Sequence, residues 1–177
     1  ESTSDRTTWE TPSWRDTLDS TWQPGHIHDV RCNNSNQRLR VSNDTVLQNG
    51  VLITNCEVSF GSNTAVENFI LITESTSVDS ITGASGIRIG ADDNCEPGGG
   101  AQFYTMGGMR VPSSLEIYGS RVVAGGPVSI TANANGIEGV SIISDEYVSA
   151  TANGDMGFCD EDGMPNSYEP EFFRIVY

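Results

Sequence analysis

The sequence predicts an all-β protein built as a single β-solenoid (β-helix), in which about six short coils of chain stack on one another. The first observation behind this prediction is an internal repeat, because the chain from Ile117 to Asn153 matches itself when it is shifted by twenty positions. A second repeat, shifted by nineteen positions, places residues 51–54 on residues 70–73. The matching pairs include Ile117/Ile137, Gly119/Gly139, Val128/Val148, Thr131/Thr151, Val51/Ile70 and Asn49/Asn68.

The third observation is that apolar residues alternate within each unit, as they do in a strand with one buried face. A single strand of this kind cannot bury its apolar face, but coils stacked at ~4.8 Å would join their apolar faces into one core. Recurring Gly and Asn suit the corners, where a positive φ is often required. An immunoglobulin-like sandwich is the competing prediction, although its strands would not repeat in sequence. The residues expected to point inward are Val51, Ile53, Ile70, Ile72, Ile87, Ile89, Val128 and Ile130.

Both ends of the solenoid are expected to be covered. Residues 1–30 lack the periodicity and are interpreted as an extended arm, which leaves residues 31–177 as the solenoid domain. The apolar run 172–177 is interpreted as a strand that caps the other end. The tryptophans of the arm are expected either to pack on their own solenoid or to anchor on a partner. These partner-binding candidates are Trp9, Trp14 and Trp22.

Between the ends, strands are predicted near residues 46–54, 65–73 and 81–89, followed by an irregular insertion at residues 91–100. Pro and consecutive Gly interrupt the strand pattern in that insertion. A loop that leaves a regular scaffold is a common place for function. A corner held by a disulfide is the alternative interpretation.

The charge of the chain excludes some partners. The 24 acidic residues outnumber the nine cations, all of them arginine, and give a net charge of -15 and a pI near 4.2. Nucleic acid and anionic membranes would be repelled at long range. No apolar run approaches the ~20 residues of a membrane span, so membrane contact is expected only through a segment absent from this chain. Because Glu1 replaces an initiator Met, we interpret the chain as a mature or excised fragment.

The four cysteines predict disulfides in an oxidising compartment, outside the cell or in the periplasm, since no C-x-x-C spacing indicates zinc. Three pairings are possible. We prefer Cys32 with Cys56, which would tie the entry segment to the first coils, and Cys95 with Cys159, which would tie the tail to the middle.

Metal and catalytic signals are weak, and no cofactor is predicted. His26 and His28 would share one face of a strand, but no third ligand lies nearby in sequence. A Ser-His-Asp site is disfavoured because both histidines lie outside the repeats. The acidic turn after residue 154 has neither the EF-hand pattern nor glycine-aspartate nonapeptides. Its weak calcium candidates are Asp155, Asp160 and Asp162.

A β-helix can also carry carbohydrate chemistry, which needs a carboxylate or arginine constellation in one groove. Coils of about twenty residues leave little width for such a groove, so we expect no enzyme. The residues that could supply a constellation are Arg88, Arg110 and Arg121 with Asp92, Asp93 and Glu116.

Several phrases of the sequence resemble the C-terminal region of TadG-like pilus-assembly proteins. They are VLQNGVLITNC at 46–56, IGADDNCEPGGGAQ at 89–102, ANANGIEGVSII at 132–143 and MGFC at 156–159. The resemblance covers roughly residues 24–177. It implies an exported component of tight-adherence (Tad) pili that follows an N-terminal membrane helix, and it supplies no catalytic motif.

These observations together predict a non-catalytic structural or adhesive module of a bacterial surface pilus system. It would act through contacts with other pilus or cell-surface proteins, or with copies of itself. The alternative is a secreted carbohydrate-binding or carbohydrate-active β-helix.

Overall fold

A computed structural model of the chain describes residues 6–10, 18, 22–33, 38–93, 96 and 98–152. For residues 6–10 and 133–135 it describes the backbone alone. The described part is all-β and forms a β-solenoid of about six turns, as predicted. It has no helix, so none of the described residues form a helix that could cross a membrane.

The short strands follow one another with few intervening residues. In chain order, they are β1 (Arg6–Glu10), β2 (Ile27–Arg31), β3 (Arg38–Val41), β4 (Val46–Thr54), β5 (Glu57–Phe60), β6 (Ala65–Thr73), β7 (Ile81–Gly83), β8 (Arg88–Ile89), β9 (Ala101–Thr105), β10 (Met109–Tyr118), β11 (Arg121–Ala124), β12 (Val128–Glu138), β13 (Ser141–Ser144) and β14 (Val148–Ala152).

The strands build three parallel ladders, one on each side of the solenoid. The first side stacks β1, β2, the end of β4, the end of β6, β9, β11 and β13. The second side stacks β3, β5, β7, the start of β10, the start of β12 and β14. The third side stacks the starts of β4 and β6, then β8 and the ends of β10 and β12.

The sequence repeats are the registers of these ladders. Val128 pairs with Val148 and Thr131 with Thr151, while Val51 pairs with Ile70. Every strand pair within the described ranges is parallel, which excludes the antiparallel immunoglobulin-like sandwich. Each coil therefore lies directly on the coil before it.

The corners use residues that tolerate a positive φ, as predicted. Asn49 and Asn68 bend β4 and β6 from the third side onto the first, with φ of 55° and 46°. Nδ2 of Asn68 donates a hydrogen bond to Oδ1 of Asn49 at 2.9 Å, so the two corners are also joined through their side chains. A neighbouring corner repeats this arrangement, because Nδ2 of Asn63 donates to Oδ1 of Asp44 at 3.0 Å.

The core is a set of apolar columns inside the three ladders. On the first side Leu52, Leu71, Phe103 and Val122 lie one above another and are fully buried. The ring of Phe103 stacks on Phe60 from the second side at 5.8 Å between ring centroids. The ladders therefore share one continuous core.

The orientation of two strands differs from the prediction. In β4 and β6 the inward residues are Leu52, Thr54, Leu71 and Thr73, so the expected core residues of these strands point outward. Runs of three apolar residues in β4 and four in β6 leave the orientation ambiguous, and in the structure the threonine after each run faces inward. Oγ1 of Thr54 accepts a hydrogen bond from the Cys56 backbone N–H at 3.0 Å, so this inward hydroxyl is satisfied. The outward residues are Val51, Ile53, Ile70 and Ile72.

The prediction for the later strands is confirmed. Ile87, Ile89, Val128 and Ile130 are all buried in the core.

The parallel ladder continues on the N-terminal side of residue 30, where the sequence analysis placed the domain boundary. Ile27 to Val30 pair with Val51 to Thr54, and β1 pairs with β2 in turn. Leu18 is buried, and its N–H donates to the Arg40 carbonyl oxygen at 2.9 Å. Part of the segment interpreted as an arm therefore forms the first coil.

Candidate interaction surface

The outward side chains of the first side form an apolar column along the solenoid. Successive coils place Ile53, Ile72, Tyr104, Val123 and Ile143 directly above one another. Ile72 is 37% exposed and Ile143 is 54% exposed, while the other three are half-buried among their neighbours.

A second outward column widens this surface. Ile27, Val51 and Ile70 are stacked and half-buried, and the column continues through polar Gln102 and Arg121. We call these eight apolar residues the outer apolar face. Its members are Ile27, Val51, Ile53, Ile70, Ile72, Tyr104, Val123 and Ile143.

The other two sides differ from the first, because their outward positions are mostly polar. The second side carries ion pairs between coils, such as Arg38 with Glu57 at 2.5 Å. The third side carries Arg88 paired with Glu67 at 2.5 Å. Among the described residues, an outward apolar column that runs across several coils thus occurs only on the first side, and exposed apolar residues elsewhere, such as Val46, Val78 and Val148, do not form one.

Acidic residues border one long edge of the outer apolar face. Glu74 follows β6 and pairs with Arg31 at 2.9 Å, while Asp145 and Glu146 follow β13 and are exposed. Met106 lies between these groups along the edge and is 64% exposed.

The opposite edge contains an open polar groove of about 420 Å³. Glycines at the corner, including Gly119 and Gly139 with positive φ, leave space above the backbone. Gln102, Arg121 and Ser141 stack along one wall. Arg121 is exposed and has no carboxylate partner within the described ranges. The insertion predicted at residues 91–100 lies between β8 and β9, and its Glu96, Gly98 and Gly100 line the groove.

The last described coil leaves apolar side chains exposed. Tyr147 and Val148 are 58% and 46% exposed, although Val148 is in register with Val128, which is fully buried. The run 172–177, predicted to cap this end, lies outside the described residues.

Of the three tryptophans, only Trp22 has a described side chain. Its ring stacks on the His28 ring with 4.1 Å between centroids and tilts against Phe69 at 5.3 Å. Its Nε1 donates to the Gln48 carbonyl oxygen at 3.1 Å. A Cβ on Gly50 would lie 2.5 Å from the ring, so glycine is needed there. Trp22 thus packs on its own solenoid.

The other two tryptophans contribute less to this surface. Trp9 is in β1, in register with Val30, and Trp14 lies outside the described residues.

The two histidines predicted as weak metal candidates differ in environment. Their ring centroids are 6.4 Å apart, and His28 is buried whereas His26 is half-buried. Burial lowers the pKa of His28, and the nearby His26 lowers it further, while a hydrogen bond to the Gln23 carbonyl oxygen at 2.9 Å partly opposes this shift. No group of three or more metal-ligating side chains occurs in the described part of the chain.

The arginines considered for a carbohydrate-active site are not brought together. Arg88 is on the third side, Arg110 on the second and Arg121 on the first. Arg110 pairs with Asp79 at 2.8 Å, and Arg88 pairs with Glu67. Of the predicted carboxylates, Glu116 lies next to Arg88 on the third side, and Asp92 and Asp93 lie in the insertion. The three arginines therefore do not share one groove, although Arg88, Glu116 and Asp92 all lie near Tyr118.

The predicted bond between Cys32 and Cys56 is confirmed, with 2.03 Å between the sulfurs. It joins the end of β2 to the start of β5, beside Asn55, whose Oδ1 accepts from the Cys32 N–H at 2.7 Å. This disulfide indicates an oxidising environment.

The second predicted bond, Cys95 with Cys159, lies outside the described residues. So do the calcium candidates Asp155, Asp160 and Asp162.

Sequence reasoning missed the outer apolar face because it assigned four of its members to the core. A signal was present, since a run such as Val51-Leu52-Ile53 places apolar side chains on both faces of a strand.

The fold and this surface define a three-sided parallel β-solenoid with one apolar outer side. The chain belongs to the family described as "Domain of unknown function (DUF7867)", whose model matches residues 1–160. No curated protein and no solved structure matches it.

Proposed function

We propose that this protein is a non-catalytic structural or adhesive module that works through protein–protein contacts of its outer apolar face. The observation that carries the proposal is the continuous column from Ile53 to Ile143 on the outside of the solenoid. Contiguous exposed apolar surface on a soluble protein commonly marks an interaction site. The polar outer positions of the other two sides make this side the interface.

We also propose that the module belongs to a bacterial surface system of the tight-adherence pilus type. Support for this step comes from the TadG-like sequence phrases. The disulfide between Cys32 and Cys56 is compatible with a location outside the inner membrane.

The test is co-sedimentation of the protein with filaments sheared from the surface of cells that express the pilus. We expect wild-type protein to sediment with the filaments and Val123→Asp to remain in the supernatant. Ser129→Asp is the matched control, because Ser129 is a half-buried position on the second side, one coil segment away. Wild-type protein that stays in the supernatant would rule out the pilus assignment, and equal behaviour of both variants would rule out the face.

The polar groove favours a second candidate, the binding of a carbohydrate. Gln102, Arg121 and Ser141 offer hydrogen-bonding groups along one wall, and the hydroxyl of Tyr104 donates to Oε1 of Gln102 at 2.7 Å at its margin. Polar side chains beside an aromatic ring suit a sugar with an apolar ring face. Binding of a glycan panel to the wild-type protein and to Arg121→Ala tests this candidate. It requires at least one glycan that binds the wild type and does not bind the variant.

A further inference from the structure

We infer that the partner of the outer apolar face is a protein whose own apolar strip is bordered by Lys or Arg. This inference rests on the proposed function and names the chemistry of the partner. The two alternatives are a second copy of this chain and a partner without net charge at its interface.

The outer apolar face is too small to hold a stable complex through its apolar residues alone. Six coils at ~4.8 Å give a height of about 29 Å, and four strand residues at ~3.3 Å give a width of about 13 Å. Packed against a partner, such a face would bury roughly 380 Å² on each side, less than half of the ~800 Å² in a standard stable interface. A lasting complex must therefore extend beyond the apolar residues onto their border.

The acidic edge of the outer apolar face favours a basic partner. Exposed Asp145 and Glu146 line one edge together with Glu74, which also pairs with Arg31, and the whole chain carries a net charge of -15. A second copy would bring this charge against itself. Lys or Arg around the partner's apolar strip would instead pair with the edge and speed association at low salt.

The experiment measures binding of two fluorescent synthetic peptides by anisotropy, using the full chain. Both are amphipathic helices with the same Leu stripe, bordered by Lys in one and by Glu in the other. We expect the Lys peptide to bind at least about tenfold more tightly than the Glu peptide, with an advantage that shrinks at high salt.

Substitutions distinguish the contribution of the outer apolar face to binding from that of its acidic edge. Ile72→Asp should weaken the Lys peptide about tenfold or more, and Ile72→Thr, which keeps the β-branched shape, should weaken it in the same direction. The triple change Glu74→Gln, Asp145→Asn, Glu146→Gln should weaken only the Lys peptide. Ser59→Asp on the second side is the control and should leave binding unchanged, with folding of every variant checked by circular dichroism.

Each outcome decides a different statement. If the two peptides bind equally well and Ile72→Asp abolishes the binding of both, the inference of a basic partner is wrong. The outer apolar face would then still be an interface. Binding that Ile72→Asp does not change would overturn the face itself, and with it the proposed function. Sedimentation that shows a dimer broken by Ile72→Asp would make a second copy the occupant.

Discussion

At the scale of single residues, the two faces of β6 have different energetic roles. Leu71 is fully buried between Leu52 and Phe103, whereas its neighbour Ile72 points outward. Leu71→Ala should lower the free energy of unfolding by about 2–5 kcal/mol, because it leaves a cavity in the core. Ile72→Ala should cost less than about 1 kcal/mol. Denaturant titration of both variants measures the difference, and a larger loss for Ile72→Ala than for Leu71→Ala would mean that the side-chain orientation of β6 is reversed.

This orientation could not be predicted from the residue pattern of β4 and β6. Alternation decides between inside and outside only when one face of a strand is polar. Both faces of these strands are apolar, and hydrogen bonds of Thr54 and Thr73 to the turns that follow settle the direction. In β12, Ser129 separates Val128 from Ile130, and there the pattern predicted the buried residues correctly.

His28 is expected to make stability depend on pH. Its pKa is lowered in the folded protein, mainly by burial, while in the unfolded chain it is near ~6.5. Between these two values the unfolded chain binds more protons, so acidification favours unfolding. The contribution of neutral His28 to the free energy of unfolding is therefore complete above pH ~6.5, and it is lost as the pH falls through the pKa of His28 in the folded protein.

Unfolding midpoints at about pH 7.5 and 5.5 test this expectation. The change between the two pH values should be smaller in His28→Phe than in wild type, because the titrating group is gone while a ring remains against Trp22. His26→Phe serves as the comparison and should retain most of the wild-type change, because burial, the main cause of the His28 shift, is kept while only the smaller effect of the His26 charge is lost. A pH response that survives intact in His28→Phe would assign it to other groups.

At the scale of strands and corners, the asparagine ladder sets where β4 and β6 turn. Asn68 has a φ of 46°, a conformation that costs most L-residues about 1–2 kcal/mol. Asn68→Ala should therefore be destabilising by about that amount relative to Asn68→Gly. Both variants lose the side-chain hydrogen bond to Asn49, so the difference between their melting temperatures measures the cost of the positive φ alone. Identical melting temperatures would show that φ is not what selects asparagine.

The strength of the repeat determined which elements could be predicted. The prediction for residues 46–54 and 65–73 coincides with β4 and β6, because their apolar runs VLIT and ILIT match each other at the shift of nineteen positions. The predicted strand at 81–89 is two strands, β7 and β8, because Gly86 at a φ of 76° turns the chain between them. The first strands were missed because β2, with the sequence IHDVR, does not show the apolar alternation of the later coils.

At the scale of the whole molecule, the candidate surface could be predicted only in part. Composition indicated an acidic protein with few possible partners, and the repeats indicated an extended stack. The location of the proposed interface depended on which outward columns are apolar, and that follows from the registers of neighbouring coils. A single strand, read alone, does not contain that information.

The first coil closes the N-terminal end of the stack, and its removal should affect the whole molecule. Leu18 is buried, Trp22 packs against His28 and Phe69, and β1 occupies the edge of β2. Deleting residues 1–24 should lower the free energy of unfolding by at least about 2–5 kcal/mol through the lost apolar packing. It should also cause concentration-dependent association, since the bare edge of β2 can pair with another chain.

Calorimetry and sedimentation velocity measure the two effects. Trp22→Ala in the full-length chain is the matched control, because it removes the ring but keeps β1 on the edge of β2. This variant should lose less stability than the deletion and remain monomeric at the same concentration. An unchanged melting temperature after the deletion would show that the solenoid does not need its first coil, and the tryptophan would then be available to a partner.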